Sequence, residues 1–123
     1  MKLSFLESSD FTNVVYDYFG NDSEFAEFQA ALLARPDCGA VMPGCGGLRK
    51  VRWRDPRRGK GSRGGLRIIY LHVPDGERIF LLDVYDKDEA EDLMVAEKKV
   101  LASLAETYRQ ESFMKSKGGR HGT

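Results

Sequence analysis

The chain has no long apolar run. Nothing in it approaches the roughly 18 residues of a membrane-spanning helix, and its start, "MKLSFLESSDF", lacks the apolar region of a secretory signal. It is equally short of metal-binding and cross-linking side chains, with two cysteines, Cys38 and Cys45, and two histidines, His72 and His121. A small disulfide scaffold normally carries more cysteines, and a zinc site wants about four closely spaced ligands. Free thiols, no metal, no cofactor and a cytoplasmic address are therefore expected. Net charge is absent too, because 19 basic and 19 acidic residues cancel over 123 positions. A general polyanion binder would carry a clear positive excess.

What the chain does have is one domain's worth of apolar material, 41% hydrophobic residues with 31% charged. A single domain over residues 1–112 is expected, with 113–123, "FMKSKGGRHGT", reading as a frayed tail. The charges are sorted along the chain. Residues 49–67 hold nine basic side chains and one acid, Asp55, whereas residues 75–97 hold nine acids against Arg78 and Lys87. Such segregation points to one surface for an anion and another that balances it.

Periodicity divides the chain into elements. "KLSFL" alternates as a short strand, and Phe11, Val14, Val15 and Tyr18 fall on one helical face, with Ser9 or Asp10 available as a cap. "NDS" matches a glycosylation acceptor, yet Asn21 followed by Glu24 reads better as the start of a second helix. Phe25, Phe28, Leu32 and Leu33 would face its core, and Pro36 would end it. A loop follows, in which Val41 and Met42 are expected to tuck inward. From Leu48 the period becomes two. "LRKVRW", "LRIIYLHV" and "RIFLLDVY" predict an antiparallel meander, with a tight turn at Pro74-Asp75-Gly76. The last segment returns to helix, with Val100, Leu101, Leu104 and Tyr108 on one side. The sum is an α+β domain whose helices pack on one sheet face and leave the other free.

"GKGSRG" at 59–64 fits a phosphate-binding glycine pattern, but a dinucleotide site needs a strand before it and a helix after it, and here a strand follows. The strands are more informative. Alternation puts Lys50 and Arg52 together, opposite Arg49, Val51 and Trp53. In the third strand it sets Phe80, Leu82 and Val84 against Ile79, Leu81, Asp83 and Tyr85. If Val51, Ile68 and Leu82 mark the core side, then Lys50, Arg52, Arg67 and Tyr85 share the open side. Trp53 is better suited to the core than to base stacking.

Two arginines, a lysine and a tyrosine without a histidine suit a phosphodiester. Arginine grips phosphate oxygens in a fixed fork and stabilises charge in a phosphoryl transition state. A lysine crowded by cations can accept a proton near neutral pH. With RNA, the substrate's own 2′-hydroxyl can be the nucleophile. The charge run Arg54, Arg57, Arg58, Lys60 and Arg63, with Arg49, reads either as a nucleic-acid contact or as a solubilising loop.

Taken together, "PGCGGLRKVRW", "GKGSRGGLRIIY" and "IFLLDVYDKDEAEDL", preceded by "FTNVVYDYFGNDSEFAEFQAALLARP", resemble RelE-type toxins. The likeness is to the HigB-like branch of the RelE/ParE superfamily and covers roughly residues 3–109. It implies a RelE-like α+β fold and a bacterial type II toxin–antitoxin system. The toxin would be a metal-independent mRNA interferase that cuts mRNA in the ribosomal A site. A cognate antitoxin with a helix-turn-helix DNA-binding domain would neutralise it, so that operator DNA is reached only through the antitoxin. No membrane is involved. By motif position Lys50 and Arg52 match the paired basic residues of the first meander strand, and Arg67 the arginine of the next. RelE has a further arginine after its last strand and a tyrosine beyond it; here "DKDEAEDLM" has neither, and Lys87 and Tyr85 are the nearest substitutes. The proton acceptor is Lys50, Lys87 or no side chain. A gyrase-inhibiting ParE-like toxin and a non-catalytic RNA-binding module are the alternatives.

Overall fold

The structure, a computed structural model, describes residues 4–58, 65–74, 77–87 and 93–118, and of Arg58 and residues 112–118 the backbone alone. Five strands and three helices run in the order β1 (Ser4–Glu7), α1 (Ser9–Phe19), α2 (Asp22–Ala34), β2 (Ala40–Val41), β3 (Arg49–Trp53), β4 (Leu66–Val73), β5 (Arg78–Asp86) and α3 (Val95–Gly118). A 3-10 turn at Pro56–Arg58 follows β3. The α+β class is as expected.

β3, β4 and β5 form the antiparallel meander, and β1 joins β5 in parallel, giving a five-stranded sheet in the order β1-β5-β4-β3-β2. β2 was not anticipated: two residues are too short to leave a period in a sequence, and it forms only because Ala40 and Val41 pair with Lys50 and Arg49. Val41 is consequently exposed on this edge while Met42 is buried. Asp75 and Gly76 of the expected turn lie outside the described residues, but Glu77 N–H donates to Pro74 O at 3.0 Å. α3 continues to Gly118, into the segment read as a tail, and residues 119–123 are outside the described residues.

Local chemistry accounts for the helix starts. Ser8, rather than Ser9 or Asp10, caps α1: its hydroxyl accepts Phe11 N–H at 3.1 Å and donates to Leu82 O at 2.8 Å, so one side chain both starts the helix and ties it to β5. Asn21 caps α2 by accepting Glu24 N–H at 2.9 Å. Phe11, Phe19, Phe25 and Phe28 then interlock with ring centroids 5.3–5.9 Å apart, and Trp53 joins edge-on to Phe28 at 5.3 Å. Leu33, expected inward, is exposed because α2 turns only Phe25, Phe28 and Leu32 to this core.

The second sheet face is not free. β4 is apolar on both sides, with Ile68 and Tyr70 under α1 and α2, and Ile69, Leu71 and Val73 under α3 beside Leu101 and Ala105. A continuous apolar strand is the mark of burial on both faces. Tyr108 of α3 stacks on Phe80 at 4.3 Å, and Arg109 donates to Gly46 O, tying α3 to the loop before β3.

The expected face assignment in β5 is also overturned. Ile69 opposes Asp83 but Tyr70 opposes Leu81, so Leu82 is an extra residue in the ladder. This bulge reverses the alternation: Val84, Leu81 and Ile79 face the α1–α2 core, while Tyr85, Leu82 and Phe80 face the other. Ile68 and Leu82 therefore lie on opposite faces.

Tyr70 holds the loop before β2. Its hydroxyl donates to Pro36 O at 2.7 Å and accepts Gly39 N–H at 2.9 Å, and a Cβ on Gly39 would stand 2.8 Å from the ring. Burial pushes the phenol up to about 12 from the ordinary 10, so the folded state favours the neutral form. Tyr70→Phe is expected to cost about 1–3 kcal/mol in urea denaturation by stranding two backbone partners. The sign with pH follows from the raised value: the contribution is whole below pH 10 and is lost as pH rises toward about 12. Wild type should thus lose more stability than Tyr70→Phe over that interval.

Candidate nucleic-acid interface

The register brings together three of the expected residues. Arg52 of β3 stands opposite Arg67 of β4, and Arg67 opposite Tyr85 of β5. With strands about 4.8 Å apart, the row spans roughly 10 Å, close to the reach of a phosphate with its flanking sugar. Lys50 lies in the neighbouring row, opposite Ile69, which in turn faces Asp83. Arg52 is exposed, Lys50 and Arg67 are half-buried, and Tyr85 is buried. Lys87 is exposed one residue past β5, where its N–H donates to Gly65 O at 2.9 Å. Two guanidiniums directly opposite on adjacent strands repel each other, and Arg67 Nη1 also reaches Leu66 O at 3.5 Å.

Three other basic residues are engaged inside the fold. Arg49 is on the opposite face of β3, where it donates to Asp37 O at 3.1 Å and Gly39 O at 2.8 Å. Arg54 pairs with Glu27 and, at 3.6 Å, with Glu24, and its guanidinium lies 5.6 Å from the Trp53 ring centre. Arg57 grips Asp55 through two bonds, 2.9 and 2.7 Å, and reaches Asp86 Oδ2 at 2.7 Å. Its guanidinium also rests 4.8 Å from the Tyr18 ring centre. Hydrogen bonding to Asp55 above all, and also to Asp86, raises the Arg57 pKa and holds the group charged against the burial that opposes it. These arginines position the meander and its loop and do not join the row. Arg58 is placed by backbone only, and Lys60 and Arg63 lie outside the described residues.

Charge is sorted by layer as well as by sequence. Residues 4–34, which form β1, α1 and α2, carry six carboxylates (Glu7, Asp10, Asp17, Asp22, Glu24, Glu27) and no lysine or arginine. The basic row faces the other way, on the α3 side of the sheet. The carboxylates of β1, α1 and α2 make the α3 side the better one for an anion.

Asp55, Asp86 and Tyr18 are the contributors that sequence reasoning missed. A signal was present in Asp55, the lone acid among nine bases: a single carboxylate in such a run is placed to be gripped. Its partner Asp86 is 29 residues from Arg57, and no local pattern announces that pairing.

No protein-family model matches the chain. Among the described residues, no helix is long and apolar enough to cross a membrane.

The Arg57 pairing can be tested directly. The Asp55 side chain is 0% exposed and that of Asp86 8%, so Arg57→Met leaves two buried carboxylates without their shared cation. Breaking a fully buried pair costs about 3–5 kcal/mol; with Arg57 itself 38% exposed, about 2–3 kcal/mol is expected in chemical denaturation. Arg57→Lys should recover part of this, since it restores the charge without the fork. An Arg57→Met loss no larger than that of an exposed arginine would exclude the clamp.

Proposed function

We propose that the chain is the toxin of a bacterial type II toxin–antitoxin pair, a HigB-like member of the RelE type that cuts ribosome-bound mRNA. The observation that carries this reading is the row Arg52, Arg67 and Tyr85 across three adjacent strands, with Lys50 one row away. The order strand, two helices, meander, helix agrees with a RelE-like chain, and the sided charge favours a polyanion on the α3 face.

The chemistry follows from those groups. The 2′-oxygen of the substrate attacks the neighbouring phosphorus and the 5′-oxygen leaves, so one P–O bond forms as another breaks, yielding a cyclic phosphate and a 5′-hydroxyl. Negative charge builds on the non-bridging oxygens, and Arg52 and Arg67 are placed to balance it. The 2′-hydroxyl proton passes to Lys50, Lys87 or solvent, and the leaving oxygen collects a proton. Tyr85, largely buried, supports the row by packing beside Arg67. mRNA held in the ribosomal A site supplies the splayed single strand such a shallow surface needs. An antitoxin with a helix-turn-helix domain would silence the protein and carry it to operator DNA.

Primer extension on a translating mRNA tests the reading. Wild type should cut only with ribosomes present. Arg67→Ala should cut about 10²–10³-fold more slowly, the usual loss for one transition-state donor. Arg54→Ala, whose partners are Glu24 and Glu27, should stay near wild type. Intact mRNA under conditions where the protein still stops growth would point to a gyrase-directed toxin, and RNA binding without cutting to a non-catalytic module.

A further inference from the structure

The bulge in β5 turns two consecutive residues, Leu82 and Asp83, toward α3. Together with the start of α1 and one side of α3 they enclose an open groove of about 330 Å³. Its apolar lining is Leu82 of β5 with Ala96, Val100, Leu101 and Leu104 of α3, the first, second and last of these α3 residues one helical turn apart. Carboxylates of Asp10, Asp83 and Glu97 surround it.

Two features distinguish this groove from an ordinary crevice. The first is Val100, which is 61% exposed in the second turn of a helix whose neighbouring Leu101 is buried. α3 thus carries a wider apolar stripe than the sheet covers, and leaving a valine in water forgoes about 1.5 kcal/mol of burial. Met94 and Val95, at the start of the same helix, are also exposed. The second is the sign of the charge. Lys98 and Lys99, near the start of this helix, line a separate depression with Pro43 and Gly44, so among the described residues the charged groups that line the groove are carboxylates. Nucleic acid and anionic lipid are repelled from it, whereas lysine and arginine are attracted.

We propose that this groove docks an amphipathic, basic segment of a partner protein. Apolar side chains at i and i+3 or i+4 would seat against Leu82, Val100 and Leu104, and flanking cations would meet Asp10 and Glu97. Because Asp83 is two residues from Tyr85, a segment docked here lies beside the basic row and can govern access to it. The groove's own features carry this proposal, and a failed cleavage assay would leave it standing.

The probe is a fluorescein-labelled peptide of about 14 residues, one common helix length, with leucines on one face and lysines on the other. A matched peptide carries glutamates in place of the lysines, and binding is read by anisotropy on the full chain. The lysine peptide should bind saturably and more weakly as salt rises, and the glutamate peptide should not bind. Val100→Asp should weaken binding about tenfold although it adds a negative charge, and Glu97→Lys should weaken it as well. Both positions are exposed, and circular dichroism melts would verify that the variants remain folded. Absence of saturable binding, or equal or tighter binding by Val100→Asp, would overturn the proposal, since diffuse attraction alone would then suffice. A dimer in light scattering that Val100→Asp dissolves would overturn it in favour of a second copy of the chain.

Discussion

One guanidinium holds one end of the sheet together. Arg57 joins Asp55, just after β3, to Asp86, the last residue of β5, and lies against Tyr18 of α1. Buried carboxylates are costly unless a cation and further hydrogen bonds satisfy them, so this arrangement tolerates few alternatives. Gly65 completes it: a Cβ there would sit 3.0 Å from the Asp55 Cβ, and Gly65 O accepts Lys87 N–H. The end of β3, the beginning of β4 and the end of β5 are thereby held at one point. The register that lines up Arg52, Arg67 and Tyr85 is set next to it.

The sheet has a different division of labour on each face. Under α1 and α2 it is covered by an aromatic core, and the outside of that layer carries only acidic charge. On the other face α3 covers the rows that hold Leu71 and Phe80, and the basic row lies toward the Asp86 end. The bulge at Leu82 marks the change. By setting Leu82 and Asp83 side by side it ends one apolar pattern, opens the acidic groove against α3, and returns Tyr85 to the face of Arg67. Cationic and anionic surfaces consequently meet within two residues of one strand.

Much of this was legible in the sequence. The helical period of Phe11, Val15, Phe25 and Phe28, the cap at Asn21 and the three meander strands are local properties, written in spacings of 3.6 and 2. The clustering of Lys50, Arg52, Arg67 and Tyr85 on one face also follows from alternation, since the bulge lies before Tyr85 and leaves the final residues of β5 in step with β4. Two misreadings share one cause. A bare second face, and Phe80 with Leu82 and Val84 on one side, each assumed that local pattern extends unbroken through the fold; the pairing of Arg57 with Asp55 and Asp86 was likewise beyond local pattern.

Composition and period by themselves determined which segments are helix or strand and where positive charge is concentrated, because those depend on neighbours a few residues away. Only the tertiary structure decided which of those charges are already matched. The Arg57–Asp86 pair joins residues 29 apart, the single-residue bulge appears only when β5 is laid against β4, and the exposure of Val100 depends on how far the sheet reaches beneath α3. Each is a relation between distant segments, fixed by burial and pairing in space, and a sequence read residue by residue carries no term for it.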